Sequence, residues 1–297
     1  MLSLHTNAAA LSAQNSISRT QSSLSTSQTR LSTGFRINSA MDDAAGLQIA
    51  TRLKAQTSGM AVAMRNTQNS ISMMQTAEGA LDETSNILVR MKDLATQAAD
   101  GSSNATDRTA MQAEFNALTE ELTNIVGNTS FGGQKLMNDT TGTFSAAAKV
   151  NFQIGASGTE VMTVDASTVI ATMHASILGA ASGYDNTGTA AAAPLAGTEV
   201  SGTPAVIAAN IDKLQKAIDD VGVVRSALGA ASNRLDHVYN NLANVSTNTK
   251  AASGRIMDTD FAAESSSMTA NQMLLQAGTA MLKQSNSTSS LVMSLLQ

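Results

Sequence analysis

Residues 211–245 read IDKLQKAIDDVGVVRSALGAASNRLDHVYNNLANV. Taken in sevens, the stretch places Leu214, Val221, Leu228, Leu235 and Leu242 at one position, and Ala217, Val224, Ala231, Val238 and Val245 three residues further on. Every one of these is apolar, and no Pro interrupts them. An a/d seam of this length predicts a helix of roughly 50 Å, at about 1.5 Å rise per residue, packed lengthwise on other long helices. Its partners must lie elsewhere in the chain.

Composition narrows what the partners build. The chain has 297 residues with no Cys, no Trp, six Phe, two Tyr and two Pro. So few aromatics do not fill a thick core, whereas the abundant small side chains suit helices lying close together. Without Cys there is no disulfide framework and no thiolate metal site. A net charge of −5 argues against nucleic acid as a main partner. No run reaches the ~20 apolar residues of a membrane span, and the N-terminus lacks an apolar signal core, so secretion would need another route.

Residues 1–41 contain no acidic residue. Leu4, Leu11, Ile17, Leu24 and Leu31 follow a near-heptad stripe on a Ser, Thr, Asn and Gln background. That helix is weak unless its apolar face is covered. The segment 32–38 breaks it, and Ser39 with Asp42 and Asp43 reads as the capped start of a second helix, which runs to about Ala99. There Leu53, Met60, Met74, Leu81, Leu88 and Ala95 share a heptad position, interrupted by Thr67, with Ile49, Ala63, Ala77, Met91 and Ala98 beside them. The Met residues on this stripe read as packing. Residues 100–104 end it, and Thr106 or Asp107 caps a third helix bearing Met111, Phe115, Leu118, Leu122 and Ile125. These two helices and 211–245 predict an up-down-up bundle.

After Gly127 the period changes. Val150, Phe152 and Ile154 alternate with polar residues before a Gly-Ser turn and Val161 to Val164, a hairpin near 149–165. Residues 179–205, rich in Gly, Ala and Thr and carrying Tyr184, Pro194 and Pro204, read as a short exposed, variable loop. The chain loosens around Ser253, Gly254 and Arg255, and Asp258 or Asp260 caps a last helix in which Met268, Leu275, Leu282 and Leu296 share a heptad position. From Ser265 to the end the only charge is Lys283. A solvated helix of that length carries several charges. Both ends are therefore expected to be covered by protein, by each other and by neighbouring copies, and to order only when that burial offsets the lost entropy.

No catalytic pattern stands out. His5, His174 and His237 lie far apart, and there is no G-x-S-x-G, H-E-x-x-H, P-loop or G-x-G-x-x-G. The pairs Asp42-Asp43 and Asp219-Asp220 are explained as a helix cap and a solvated face. The reading is of a chain without catalytic residues, metal ligands or a cofactor.

Several motifs together resemble the bacterial flagellins. They are Arg30-Leu31-Ser32-Thr33-Gly34, Arg36-Ile37-Asn38-Ser39-Ala40, Asp42-Asp43-Ala44-Ala45-Gly46-Leu47, Gln75-Thr76-Ala77-Glu78-Gly79-Ala80-Leu81, Phe131-Gly132-Gly133, Gln276-Ala277-Gly278-Thr279 and Ser294-Leu295-Leu296. The similarity spans about 1–165 and 205–297. It implies a mainly α fold, a long antiparallel helical bundle or coiled coil built from both chain ends, with a small β-hairpin and little or no outer domain. Residues 1–43 and 256–297 would be paired terminal helices lining an inner tube. Residues 44–178 and 206–255 would form the outer-tube bundle, and 179–205 the exposed loop.

The function so implied is a filament subunit of the bacterial flagellum, serving motility. It would be exported unfolded through the flagellar type III apparatus and added at the filament tip. Implied partners are further copies in an open helical homopolymer, an export chaperone, the filament cap, hook-associated proteins and host flagellin receptors, with no membrane insertion. Its place is outside the cell. The expected packing set is Leu4, Leu11, Leu24, Leu31, Met268, Leu275, Leu282 and Leu296, with a hinge at Gly34 and Arg36. The family's Toll-like receptor contacts map onto Arg90, Leu94 and Glu114, with conservative departures at Lys92 and Asp93. The plant-receptor epitope maps onto Thr29 to Ala50, with departures at Phe35 and Met41. The competing reading is a hook-filament junction protein, which shares the terminal heptads but diverges after Gly34. An enzymatic insert at 140–205 is the third reading, and that region is short and lacks a site.

Overall fold

The computed structural model describes residues 7–145, 149–187 and 197–295, with side chains as far as Ser287. The fold is mainly α. In order, the elements are α1 (Ala8–Thr33), α2 (Ala44–Ala99), α3 (Ala105–Asn128), β1 (Ser130–Phe131), β2 (Gln134–Lys135), β3 (Val150–Gln153), β4 (Val161–Val164), α4 (Ser167–Ala180), α5 (Pro204–Met257) and α6 (Phe261–Leu295). They belong to two compact units, Ser58–Ser246 and Met1–Thr57 with Thr247–Gln297.

The larger unit is built on the seam of α5. Leu214, Ala217, Val221, Val224, Leu228, Ala231, Leu235 and Leu242 are buried, and Val238 is half-buried. The register fails only at its end, where Val245 is exposed and Ser246 is buried instead. An unsupercoiled helix turns every 3.6 residues rather than every 3.5, so a strict heptad drifts off the contact line.

On α2 the matching row is Met60, Ala63, Met74, Ala77, Leu81, Leu88, Met91, Ala95 and Ala98, all buried. Thr67, Ser70 and Thr84 stand at positions of the same row and are buried too. Each hydroxyl donates back along the helix, to the carbonyls of Ala63 (2.8 Å), Asn66 (2.7 Å) and Ala80 (2.8 Å). That bond satisfies the buried hydroxyl, which is why polar residues interrupt the apolar pattern without breaking the packing. In the smaller unit the α2 row does not hold: Ile49 is exposed and its neighbour Ala50 is buried.

Met111, Phe115, Leu122 and Val126 of α3 join the same core. The cap of α3 is Asn104 rather than Thr106 or Asp107. Its side chain accepts from the amides of Thr106 and Asp107, both at 2.8 Å, and Asp107 returns the bond to the Asn104 amide at 3.2 Å. Asp107 is therefore the far member of a capping box.

Two small ribbons and one helix complete the unit. β3 and β4 pair antiparallel with Val150 opposite Val164 and Phe152 opposite Met162, as the alternation predicts. β1 and β2 pair around Gly132 and Gly133, whose φ values of 59° and 84° are the left-handed conformations a two-residue hairpin turn requires. Helix α4 was not read from the sequence, although Ile170, Met173, His174, Ile177 and Ala180, spaced three and four apart, are all buried. The segment 179–205 is not a uniformly exposed loop either, because Ala181, Tyr184 and Val200 are buried. The side chain of Gln112 on α3 accepts from the Val200 amide at 2.8 Å, and the Tyr184 hydroxyl meets His174. Residues 188–196, with Pro194, lie outside the described part.

Candidate functional site

The candidate site is the smaller unit, in which α1 and α6 pair. The pairing is antiparallel. Asn7 at the start of α1 donates to the Ser285 hydroxyl (3.3 Å) and carbonyl (3.4 Å), while Arg30 near its end faces Glu264 at 3.6 Å. Between these ends Gly278 is drawn so close to α1 that a Cβ there would stand 2.9 Å from Cγ1 of Ile17. Any larger residue there would force the Ile17 side chain to shift, so glycine suits this close approach.

The facing rows follow a regular three-four alternation. On α1 they are Ala10, Ala13, Ile17, Thr20, Leu24, Ser27 and Leu31. On α6 they are Glu264, Met268, Asn271, Leu275, Gly278, Leu282 and Ser285. Of these only Ser27 is buried, and the rest are half-buried. Five of the expected packing residues, Leu24, Leu31, Met268, Leu275 and Leu282, thus fall on the contact. Leu11 does not, and it is exposed. Its step to Ile17 is six residues, so it sits one residue out of phase with the row that Ala10 occupies. Leu4 lies outside the described residues. Leu296 does as well.

The pair leaves large apolar side chains uncovered. Leu11, Phe261, Met273 and Leu274 are each more than half exposed, and Met281 is 68% exposed. Around them α6 is nearly free of charge: Glu264, in its first turn, is committed to Arg30, and Lys283 is the only other charged residue. Two helices packed only on each other would not be expected to leave such a face in water.

The turn from α1 into α2 is tied to the turn between α5 and α6. Gly34 ends α1 in the left-handed conformation at φ 76°, its amide bonded to the Arg30 carbonyl at 2.9 Å, as a helix-terminating glycine does. The Arg36 amide donates to the Met257 carbonyl at 2.6 Å, its guanidinium to the Ile256 carbonyl at 2.9 Å, and the Thr259 amide to the Gly34 carbonyl at 3.0 Å. The expected helix break at Ser253–Arg255 does not occur, because α5 continues through Gly254 to Met257. Asp260 then caps α6 by accepting from the amides of Ala262 and Ala263.

The start of α2 also differs from expectation. Ser39 lies too early to cap it. Asp43 accepts from the Gly46 amide at 2.8 Å and takes the capping role. Asp42 instead holds the preceding turn, accepting from the amides of Ser39 (2.9 Å) and Asn38 (3.0 Å), and these bonds lower its pKa.

In the larger unit, α2 and α3 bring Arg90 and Glu114 together. The guanidinium donates twice to one carboxylate oxygen, Nη2 at 2.7 Å and Nε at 3.0 Å, and both side chains remain about half exposed. Leu94 is different. It is 2% exposed and packs into the core, so it supports this surface from beneath rather than standing on it.

Among the described residues no cluster of three or more His, Asp or Glu is arranged to hold a metal ion, and no helix is long and apolar enough to cross a membrane. Asp219 accepts from Gln215 on its own helix, whereas Asp220 is not on a solvated face: its side chain is 18% exposed and accepts both from Lys216 and from the Ser176 hydroxyl of α4. His174 is a buried structural residue. Its Nε2 lies 2.8 Å from the Met137 carbonyl, which can only accept, so Nε2 carries the proton. Nδ1 then accepts from the Tyr184 hydroxyl at 2.7 Å.

Comparisons with known proteins bear on both units. A family model described as the bacterial flagellin N-terminal helical region matches residues 4–141, and the C-terminal helical region of the same family matches 211–296. The chain is 35% identical over 383 residues to Flagellin A of Vibrio anguillarum, with 100% of both chains covered. It is 35% identical over 381 residues to Flagellin C of Vibrio cholerae serotype O1, with 99% of each covered. These alignments are longer than the chain, so the relatives carry residues that it lacks. Among solved structures, a Bacillus cereus flagellin shares 31% identity, at a TM-score of 0.45, over 60% of this chain and 88% of its own. A structure assigned as a flagellar hook-associated protein of Vibrio parahaemolyticus aligns with a TM-score of 0.55 at 16% identity, over 73% of this chain and 100% of its own, a likeness of fold alone. The chain belongs to the bacterial flagellin family, the structural subunits of the flagellar filament.

Proposed function

We propose that this chain polymerises through its terminal helices into the filament, after export in an unfolded state through the flagellar type III apparatus and addition at the growing tip. The observation that carries this reading is the incomplete burial of the α1–α6 pair, with Leu11, Phe261, Met273, Leu274 and Met281 left exposed on helices almost without charge. Further copies of the chain are the partner that covers them. Contacts between unlike faces that do not close into a ring produce an open helical lattice.

In this reading residues 1–43 and 256–297 line the inner tube, 44–178 and 206–255 form the outer one, and 179–205 stands at the periphery. Gly34 and Arg36 form a braced joint rather than a loose hinge, given their bonds to 256–259. An export chaperone holds the chain before export, and the filament cap and hook-associated proteins meet it at the filament's two ends. The Arg90–Glu114 surface, underlain by Leu94, is the patch a host flagellin receptor would meet.

Leu275→Asp tests the reading. It should leave the helical content of the 44–255 bundle unchanged by circular dichroism and abolish filament formation; normal filament growth by this variant would refute it. The junction-protein alternative has support in the fold shared with a hook-associated protein. The relatives aligned along the whole chain are flagellins, and they favour the filament subunit.

A further inference from the structure

Methionine is placed unevenly between the interior and the surface of this chain. In the core of the larger unit, Met74, Met91, Met137 and Met173 are at most 1% exposed. On α6 the placement reverses. Met273 is 59% exposed and Met281 68%, and Leu274, one heptad before Met281, is also uncovered. All three lie beside the row of Met268, Leu275 and Leu282 that meets α1, so the pairing of the two helices leaves these thioethers in solvent.

A thioether in solvent differs from a leucine in that its sulfur can be oxidised. With hydrogen peroxide the sulfur lone pair attacks one peroxide oxygen and the O–O bond breaks. The other oxygen leaves as hydroxide and takes the remaining proton as water, so the sulfur is oxidised and the peroxide reduced. The product is a polar sulfoxide where there was an apolar side chain. In the monomer this changes little, because the group stays in water. On a face that another copy covers, the sulfoxide must give up its hydrogen bonds to water, and beyond its first turn α6 offers a single cation, Lys283, to replace them.

We propose that Met273 and Met281 form a peroxide-sensitive modification site that gates assembly: as thioethers they complete the apolar face that a second copy of the chain covers, and as sulfoxides they block it. The inference rests on the filament reading and adds chemical control to it. Oxidation acts on the folded subunit before it joins the polymer, and the contact that requires the thioethers shields them afterwards. Reduction of the sulfoxides restores competence. The buried methionines stay out of reach, so the bundle keeps its packing.

The test treats the full-length monomer with hydrogen peroxide, removes the excess with catalase, maps the oxidised methionines by mass spectrometry and measures seeded polymerisation by sedimentation. The comparison is Met273→Leu/Met281→Leu, which keeps both positions apolar and helix-favouring and retains every other methionine, including Met41 at 96% exposure. In the wild type, Met273 and Met281 should gain oxygen while Met137 and Met173 do not, and the critical concentration should rise about tenfold or more. A methionine sulfoxide reductase should reverse that rise, preformed filaments should protect both residues, and the double variant should polymerise equally well before and after peroxide. An oxidised wild type that polymerises at the untreated concentration would overturn the proposal. So would a double variant that loses as much as the wild type, or equal oxidation of both residues in filaments and monomer. Failure of the untreated chain to polymerise would overturn the filament reading itself, and this inference with it.

Discussion

Met281→Asp separates burial within the monomer from burial between copies. Met281 is 68% exposed on α6, so its replacement removes little from the α1–α6 contact. An Asp at an exposed helix position costs the monomer only about 0.5 kcal/mol in helix propensity. In the filament the side chain would be covered. Complete burial of a Met side chain is worth about 1.5–3 kcal/mol, of which roughly two-thirds, ~1–2 kcal/mol, is still available to a neighbouring copy. The variant loses that and must also bury a carboxylate on a helix whose only positive charge is Lys283, at a cost of several kcal/mol. Since about 1.4 kcal/mol is tenfold in an equilibrium constant, a combined loss above ~3 kcal/mol raises the critical concentration for polymerisation at least ~100-fold. Sedimentation of seeded mixtures at graded protein concentration measures it, with circular dichroism as the control for folding. An unchanged critical concentration, with wild-type helical content, would show that this face of α6 stays in solvent and that the reasoning from exposure is wrong.

Two further outcomes are expected. Burial lowers the His174 pKa against the opposing effects of the Met137 carbonyl and Asp139, so the folded chain favours the neutral ring. A depressed folded pKa means that the stability it confers is present above the ordinary value of 6.5 and is lost as pH falls below it. The midpoint of thermal unfolding of the larger unit should therefore drop more between pH 6.5 and roughly pH 5 in the wild type than in His174→Gln; equal slopes would remove His174 as the cause. On the receptor surface, Arg90→Ala breaks both bonds to Glu114 and should weaken the response of reporter cells bearing the flagellin-sensing Toll-like receptor, whereas an unchanged response would take Arg90 out of that site.

Long elements were legible because burial along them repeats. The α5 seam holds from Leu214 to Leu242, and it predicted partners that α2 and α3 supply. The same logic erred where the helix stopped following a seven-residue period, at Val245, and where a six-residue step put Leu11 out of phase. Capping positions were displaced by a few residues, since Ser39, Asp42, Asp43, Asn104 and Asp107 are all chemically able to cap, and only backbone geometry selects among them. Helix α4 was missed because its 14 residues are bounded by a hairpin and a Gly-rich stretch, although its apolar spacing was present.

The candidate site was legible in outline from the absence of charge after Ser265. One of its details was not. Gly278 looks like an ordinary helix interior until Ile17 is seen against it. On the receptor surface, by contrast, Leu94 stands three residues after Met91 and four before Ala98, a spacing that marks it as core and sets it apart from the exposed Arg90.

The central claim is that the terminal helices drive assembly. Seeded polymerisation of the full-length chain against a form ending at Glu264, followed by electron microscopy and sedimentation, tests it most directly. The account predicts filaments from the full-length chain only. Filaments from both forms would contradict it, since α6 beyond its first turn would then be dispensable.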